Sequence, residues 1–430
     1  MAAPRRMVSM IVDRIFEKGD LNSVLSKLKP RTPKNQPLPP GISSKHEYSV
    51  EALGQRREIL KQQGITISKL ANEPANFNPE ELQGNIENFI GFATIPVGAI
   101  GPLRINGVHA YGDFYVPLAT TEGALIASYN RGCYAAGLSG GVTVACLTES
   151  VSRAPCFIFN DLVEASQFIA WSLTQFDSFQ KAVAETSSHA KLLDIRTTII
   201  GKEVYLNFEY FTGDASGQNM VTLATAAICS QILEQSPIKP LQWYIEGNLS
   251  GDKKATMMSF GYVRGKKVIA EVKLAKEVIT KVLHTSALNM QRYWEISFMG
   301  GSQSGAIGSQ GHFANALAAL FIACGQDVAC VSEASVGLTR MQADENGNLY
   351  VAVTLPNLIV GTIGGGTRFE TAKECLEMID CYGKDKARKF AEICAAVVLA
   401  GEISIIAALT AGDFAKAHGA LGRRKKSNAK

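Results

Sequence analysis

The period of the apolar pattern changes along the chain, and the changes mark its parts. Residues 8–16 form a short amphipathic segment, followed by a polar stretch with Pro30, Pro33, Pro37, Pro39 and Pro40. Across 46–65, charged and apolar residues alternate at helical spacing around Arg56-Arg57-Glu58. Region 1–86 therefore reads as a small helical N-terminal domain. Residues 87–103 are apolar but interrupted by Gly91, Pro96, Gly98, Gly101 and Pro102. That is too broken for a helix, and it predicts a tight, buried path close to a ligand. A strand is expected over 111–118. Thr120-Thr121-Glu122-Gly123 should then open a helix over 124–136, with Thr120 or Thr121 as its cap and Glu122 in the positive field of its first turn.

Between 154 and 244 strand-like runs (156–159, 197–200, 204–210) alternate with amphipathic helices (162–173, 220–233). This predicts an α+β module of ferredoxin-like size inserted between two parts of a larger domain, 87–153 and 257–430. A polar loop over 245–256 follows it. The fold class is α+β: a helix-rich large domain, the inserted module and the N-terminal helical domain. The longest apolar stretch, 391–412, carries Glu392 and Glu402 and reads as a buried core helix, because a membrane span of about 20 residues carries few charges.

Composition narrows the function. With 46% hydrophobic and 19% charged residues the chain is globular. Net charge is +4, and the excess is largely Arg423-Arg424-Lys425-Lys426. A nucleic-acid partner is therefore not expected. The nine cysteines include no CxxC pair, which points to reduced thiols and no metal site. Residues 1–10 are basic without a following apolar run, so no signal peptide is expected. The chain as given reads as cytoplasmic.

Three loops carry candidate chemistry. Gly247-Asn248-Leu249-Ser250-Gly251-Asp252-Lys253-Lys254 places an acid beside two lysines, which fits either a solvated turn or stabilisation of an oxyanion. Gly213-Asp214-Ala215-Ser216-Gly217-Gln218-Asn219-Met220 precedes a helix, as a phosphate-binding loop or an ordinary strand-to-helix connection would. Gly361-Thr362-Ile363-Gly364-Gly365-Gly366-Thr367 would let backbone approach a ligand closely. Asp327, at the expected C-terminus of a helix over 311–324, opposes the helix dipole and needs a partner, most naturally a lysine.

The stretches 87–103, 120–133, 213–220, 252–254, 324–327, 361–367 and His418, in this order, resemble the catalytic part of 3-hydroxy-3-methylglutaryl-coenzyme A (HMG-CoA) reductase, nearest the eukaryotic-type class. The resemblance implies reduction of the thioester by two NADPH, giving mevalonate and free CoA. It implies Glu122 as proton source, Lys253 as oxyanion stabiliser, Asp327 as the acid tuning them, and His418 as the acid for the departing thiolate. It implies NADPH contacts from Asp214, Ser216, Gly217, Gln218, Asn219, Met220, Gly364, Gly365 and Gly366. It implies substrate contacts from Arg153, Asn248, Asp252, Lys254 and Asn315, with Ser128, Asn130 and Arg131 on the CoA side. It also implies a homodimer or homotetramer with sites at subunit interfaces, and an endoplasmic reticulum membrane location if the chain is a truncated form.

The departures are specific. No lysine occurs in 291–302, where the family has a substrate lysine; Glu246 replaces a serine, Tyr134 an arginine, and Asn85-Ile86 a pair of cysteines. These leave open a diverged reductase of another acyl thioester, or a binding paralogue without turnover.

Overall fold

The computed structural model describes residues 47–65 and 77–412, with Asn22. The amphipathic segment 8–16, the proline-rich stretch, His418 and the basic run at 423–426 lie outside the described residues. The chain divides into two compact units, Met1–Ala93 and Thr94–Lys430.

In the first unit, α1 (Val50–Gln62) begins where the Ser49 side chain accepts the Ala52 amide. The unit extends past the expected boundary at 86. Phe77, Phe89 and Phe92 pack ring against ring, and buried Arg56 donates to the Phe89 carbonyl.

The second unit opens with an antiparallel pair, β1 (Val97–Gly107) and β2 (Tyr111–Ala119). The expectation of an irregular buried path over 87–103 is therefore corrected. Residues 87–96 are irregular, but 93–96 are exposed rather than buried, and 97–103 belong to a strand. Its register shifts between Ile100 and Leu103, and that irregularity accommodates Gly101 and Pro102 in a sheet. The helix after β2, α2 (Leu125–Leu138), also starts later than expected. Its cap is Ala124, in the left-handed region at φ 72° with no side-chain cap, while the Thr120 hydroxyl accepts the Glu122 amide instead. Glu122 thus precedes the helix.

Strand β3 (Val142–Arg153) then leads into β4 (Cys156–Ile158), α3 (Leu162–Leu173), α4 (Phe176–Thr186), β5 (Lys191–Ile200), β6 (Glu203–Phe211), α5 (Gln218–Gln235) and β7 (Gln242–Tyr244). Their order β7-β4-β6-β5, antiparallel throughout, is the ferredoxin-like arrangement. The module has its own aromatic core, with Phe157, Phe168, Phe179, Phe208 and Tyr210 fully buried. The rest of the unit adds β8 (Gly265–Leu274), α6 (Ala287–Ser304), β9 (Gly308–Ser309), α7 (Phe313–Ala323), β10 (Gly337–Ala343), β11 (Leu349–Leu358) and α8 (Ala387–Ala411). Strand β3 joins both parts. Val142 to Val144 pair with β1, Thr143 to Ser150 with β8, and Val151 to Arg153 with β6 of the module. That continuity fixes the module against the large sheet at Arg153.

Helix α8 is apolar on nearly all sides, so only burial in a core suits it. Among the described residues it alone is long and apolar enough to cross a membrane, yet 83% of its apolar window is buried in the protein. Its two acids are placed for a reason. Glu392 accepts the amides of His109, Ala110 and Cys146. Glu402 accepts those of Gly311 and His312 and the Thr339 hydroxyl at 2.6 Å. Each carboxylate satisfies backbone donors at an irregular point of the chain: the 109–110 turn and the register shift of β3 at Cys146 for Glu392, and the segment before α7 for Glu402.

Candidate active site

The lysine loop leaves the module at β7 and is bent three times. Asn248 and Lys253 adopt left-handed φ values of 64° and 56°, and Gly251 one of 76°. For Asn and Lys that conformation is strained, and surrounding contacts must hold it. The Gly247 amide bonds the Ala154 carbonyl, the Ser152 hydroxyl donates to the Ser250 carbonyl, and Glu246 accepts the Asn248 amide at 2.7 Å.

Beneath the loop runs a chain of alternating charges. Glu246 lies 3.2 Å from Arg153, Arg153 3.1 Å from Asp252, Asp252 2.5 Å from Arg264, and Arg264 2.7 Å from Glu333. Arg264 is 4% exposed and Glu333 0%. Burial works to raise the Asp252 pKa, but Arg264 and then Arg153 outweigh it and hold that carboxyl below its usual range. At Glu333 burial wins over Arg264, and the pKa is raised. The Gln218 side-chain oxygen accepts from Arg264 at 2.9 Å and from Arg153 at 3.4 Å.

Above this network the Lys253 ammonium reaches Asp327 at 2.8 Å. The hydrogen bond to Asp327 holds the lysine pKa above its ordinary value. Both side chains remain accessible, at 44% and 38%. The lysine partner expected for Asp327 is present, but the reason given for needing one is corrected. Asp327 does not end α7; it caps the next turn, Val328–Cys330, by accepting the Ala329 amide. Lys254 and Asn248 are exposed beside the loop.

Glu122 is elsewhere. It accepts from the Asn315 side chain at 3.1 Å, near the start of α7. About 12 Å of helix separates Asn315 from the end that leads to Asp327, at 1.5 Å per residue. Glu122 is also exposed, so its own chain does not supply the burial expected of a proton-donating carboxylic acid.

The two glycine turns meet. The Thr362 amide bonds the Asp214 carbonyl, and a Cβ on Gly361 would lie 2.5 Å from the Ser216 nitrogen. Gly364 and Gly365 have left-handed φ and open space where a side chain would be, with Gly366 beside them. Gly217 caps α5 without a side-chain hydrogen bond, so the amides at the helix start, Gln218, Asn219 and Met220, have no side-chain cap. The Asp214 carboxylate is taken up inside the protein, accepting the amides of Asp385, Lys386 and Ala387 at the start of α8.

The residues expected on the CoA side make hydrogen bonds within the chain. Asn130 accepts the Gly101 amide; Ser128 pairs with Ser404 across α2 and α8, and Arg131 donates to the Ser404 carbonyl at 2.7 Å. Arg264 and Glu333 were missed by sequence reasoning. The available signal was a lone acid in the small apolar run 328–336, but its partner is set only by the fold.

The family model for hydroxymethylglutaryl-coenzyme A reductase matches residues 52–423. The chain belongs to the hydroxymethylglutaryl-coenzyme A reductase family. The reductase of Methanocaldococcus jannaschii is 42% identical over 373 residues, 86% of this chain and 92% of that protein. The reductase of Pyrococcus abyssi is 41% identical over 377 residues, 86% and 91% of the two chains. A class II reductase structure from Streptococcus pneumoniae, described as bound to NADPH in open conformations, superposes with a TM-score of 0.60 at 17% identity, covering 83% of this chain and 96% of that one. At that identity the likeness concerns the fold, which this reductase-family chain shares.

Proposed function

We propose that this chain reduces HMG-CoA to mevalonate and free CoA with two NADPH, on a site assembled from two copies. The observation that carries the reading is the Lys253 ammonium, kept charged by Asp327 and mounted on a loop locked by buried arginines. Such a fixed cation suits the negative charge that develops on a thioester oxygen as it is reduced. NADPH supplies the hydrides. The residues fit it: Gly217, Gln218, Asn219 and Met220 at the start of α5 have no side-chain cap, Ser216 lies against Gly361, and Gly364, Gly365 and Gly366 follow in the same glycine turn. Lys253 would hold the oxygen, Glu122 would deliver its proton, and His418 would protonate the thiolate. A consistent assay is two NADPH oxidised per mevalonate formed, and no thioester-dependent oxidation would refute the reading.

The dimer is argued from the separation within one chain. Lys253 with Asp327 and Glu122 with Asn315 are half-sites at opposite ends of α7. A second copy would bring one half against the other and bury Glu122. Inactive Lys253→Ala mixed with inactive Glu122→Gln should then regain about a quarter of wild-type activity, because half the dimers are mixed and each holds one intact site. No regain after subunit exchange would place both residues in one chain's site.

Glu246 bears on the acyl group. It sits on Arg153, the guanidinium that would receive the substrate's distal carboxylate. Glu246→Gln keeps an acceptor for the Asn248 amide and removes the charge. The expected result is about a tenfold lower KM for HMG-CoA, the value of one charge-assisted contact. A thioester without a distal carboxylate should be unaffected. Equal KM values for HMG-CoA would mean that Glu246 and the substrate do not compete.

A further inference from the structure

We propose that Glu333 is a positioning residue for Lys253, acting through Arg264 and the backbone of the lysine loop. The inference rests on the role proposed for Lys253. Glu333 lies in the short helix Val331–Ala334, six residues beyond Asp327. The same brief segment therefore meets the lysine twice. Asp327 takes the ammonium, and Glu333 lies under the loop that carries it.

A carboxylate with no exposed surface is costly unless it is paired. Glu333 has one guanidinium, Arg264, at 2.7 Å through Nε, and neither carboxylate oxygen is aligned for a full hydrogen bond. The Lys253 amide and the Cys330 thiol lie beside it and favour its charged form against burial. Arg264 in turn holds Asp252, the residue before Lys253, and donates to the Ser152 carbonyl in β3. Removing the charge of Glu333 would free Arg264 to shift towards Asp252. That would relax the strained backbone at Lys253, and the ammonium would leave the position set by Asp327. The oxyanion hold would loosen and the Gln218 side chain would lose a donor, while the glycine turn, tied by Thr362 to the Asp214 carbonyl, stayed in place.

The decisive variant is Glu333→Gln in the full chain. Its kcat on HMG-CoA should fall about 10²-fold, the effect of misplacing a reacting group by roughly 1 Å. The KM values for HMG-CoA and NADPH should change little, the pattern of a loss confined to the transition state. An acid that only supports the fold would lower the thermal midpoint and leave kcat of the folded protein intact. If Glu333→Gln does not fold, Arg264→Met with Glu333→Leu removes both charges at similar volume, a change buried pairs often tolerate. It should show the same fall in kcat. Wild-type kcat in either folded variant overturns the proposal. Lys253→Ala in the same assay separates the two ideas: if it is inactive while Glu333→Gln is not, only this inference fails.

Discussion

Lys253→Ala lowers kcat on HMG-CoA by about 10²–10³-fold, the usual effect of deleting one preorganised oxyanion donor, and leaves NADPH binding unchanged. The expectation follows from where the lysine stands. Its side chain contacts Asp327, whereas the two glycine turns that suit the cofactor are held by other bonds, Thr362 to Asp214 and Asp214 to the start of α8. Truncating Lys253 removes none of these. Fluorescence titration of NADPH and steady-state turnover, made on one preparation, separate the two effects. Turnover near wild type would take Lys253 out of the mechanism. Loss of NADPH binding would instead make the lysine loop part of the cofactor site.

Gly132→Ala destabilises the fold by about 3 kcal/mol or more, at the upper end for overpacking a core. A Cβ on Gly132 would lie 1.9 Å from the Ala400 carbonyl oxygen, so α2 and α8 would have to separate. The contact cannot yield cheaply, because the obstacle is backbone in a helix buried along most of its length. Ser128 and Arg131, which bond Ser404 at the same crossing, would be displaced with it. Gly137, five residues on in α2, has no heavy atom within 4 Å of its built Cβ. Gly137→Ala should be neutral or stabilise by up to about 1 kcal/mol, since alanine suits a helix better than glycine. Urea unfolding of the two variants checks the contrast. Equal midpoints would mean that α2 and α8 are not packed as closely as described.

The residues alone fixed the kind of protein and most of its elements. The change from period 2 to period 3.6 located the inserted module, because a strand and a helix bury opposite spacings of the same chain. The charges on α8 were correctly no bar to a core helix, whereas the lysine expected beside Asp327 is present for a reason other than the one given, since Asp327 caps the turn Val328–Cys330. Local sequence could not decide how distant segments use one another's polar groups. Thr120 and Thr121 looked like caps, but the fold gives Ala124 that position and turns Thr120 to the Glu122 amide. Ser128, Asn130 and Arg131 were expected on the CoA side from the resemblance, and only the fold shows that each also holds a hydrogen bond within the chain around α2. Glu246 was legible only as a departure from the family's serine, and the tertiary structure pairs it with Arg153. The pairing of Arg264 with Glu333, 69 positions apart, likewise has no local signature. Buried charges choose partners by proximity in a low-dielectric interior, and that proximity exists only after the chain has folded.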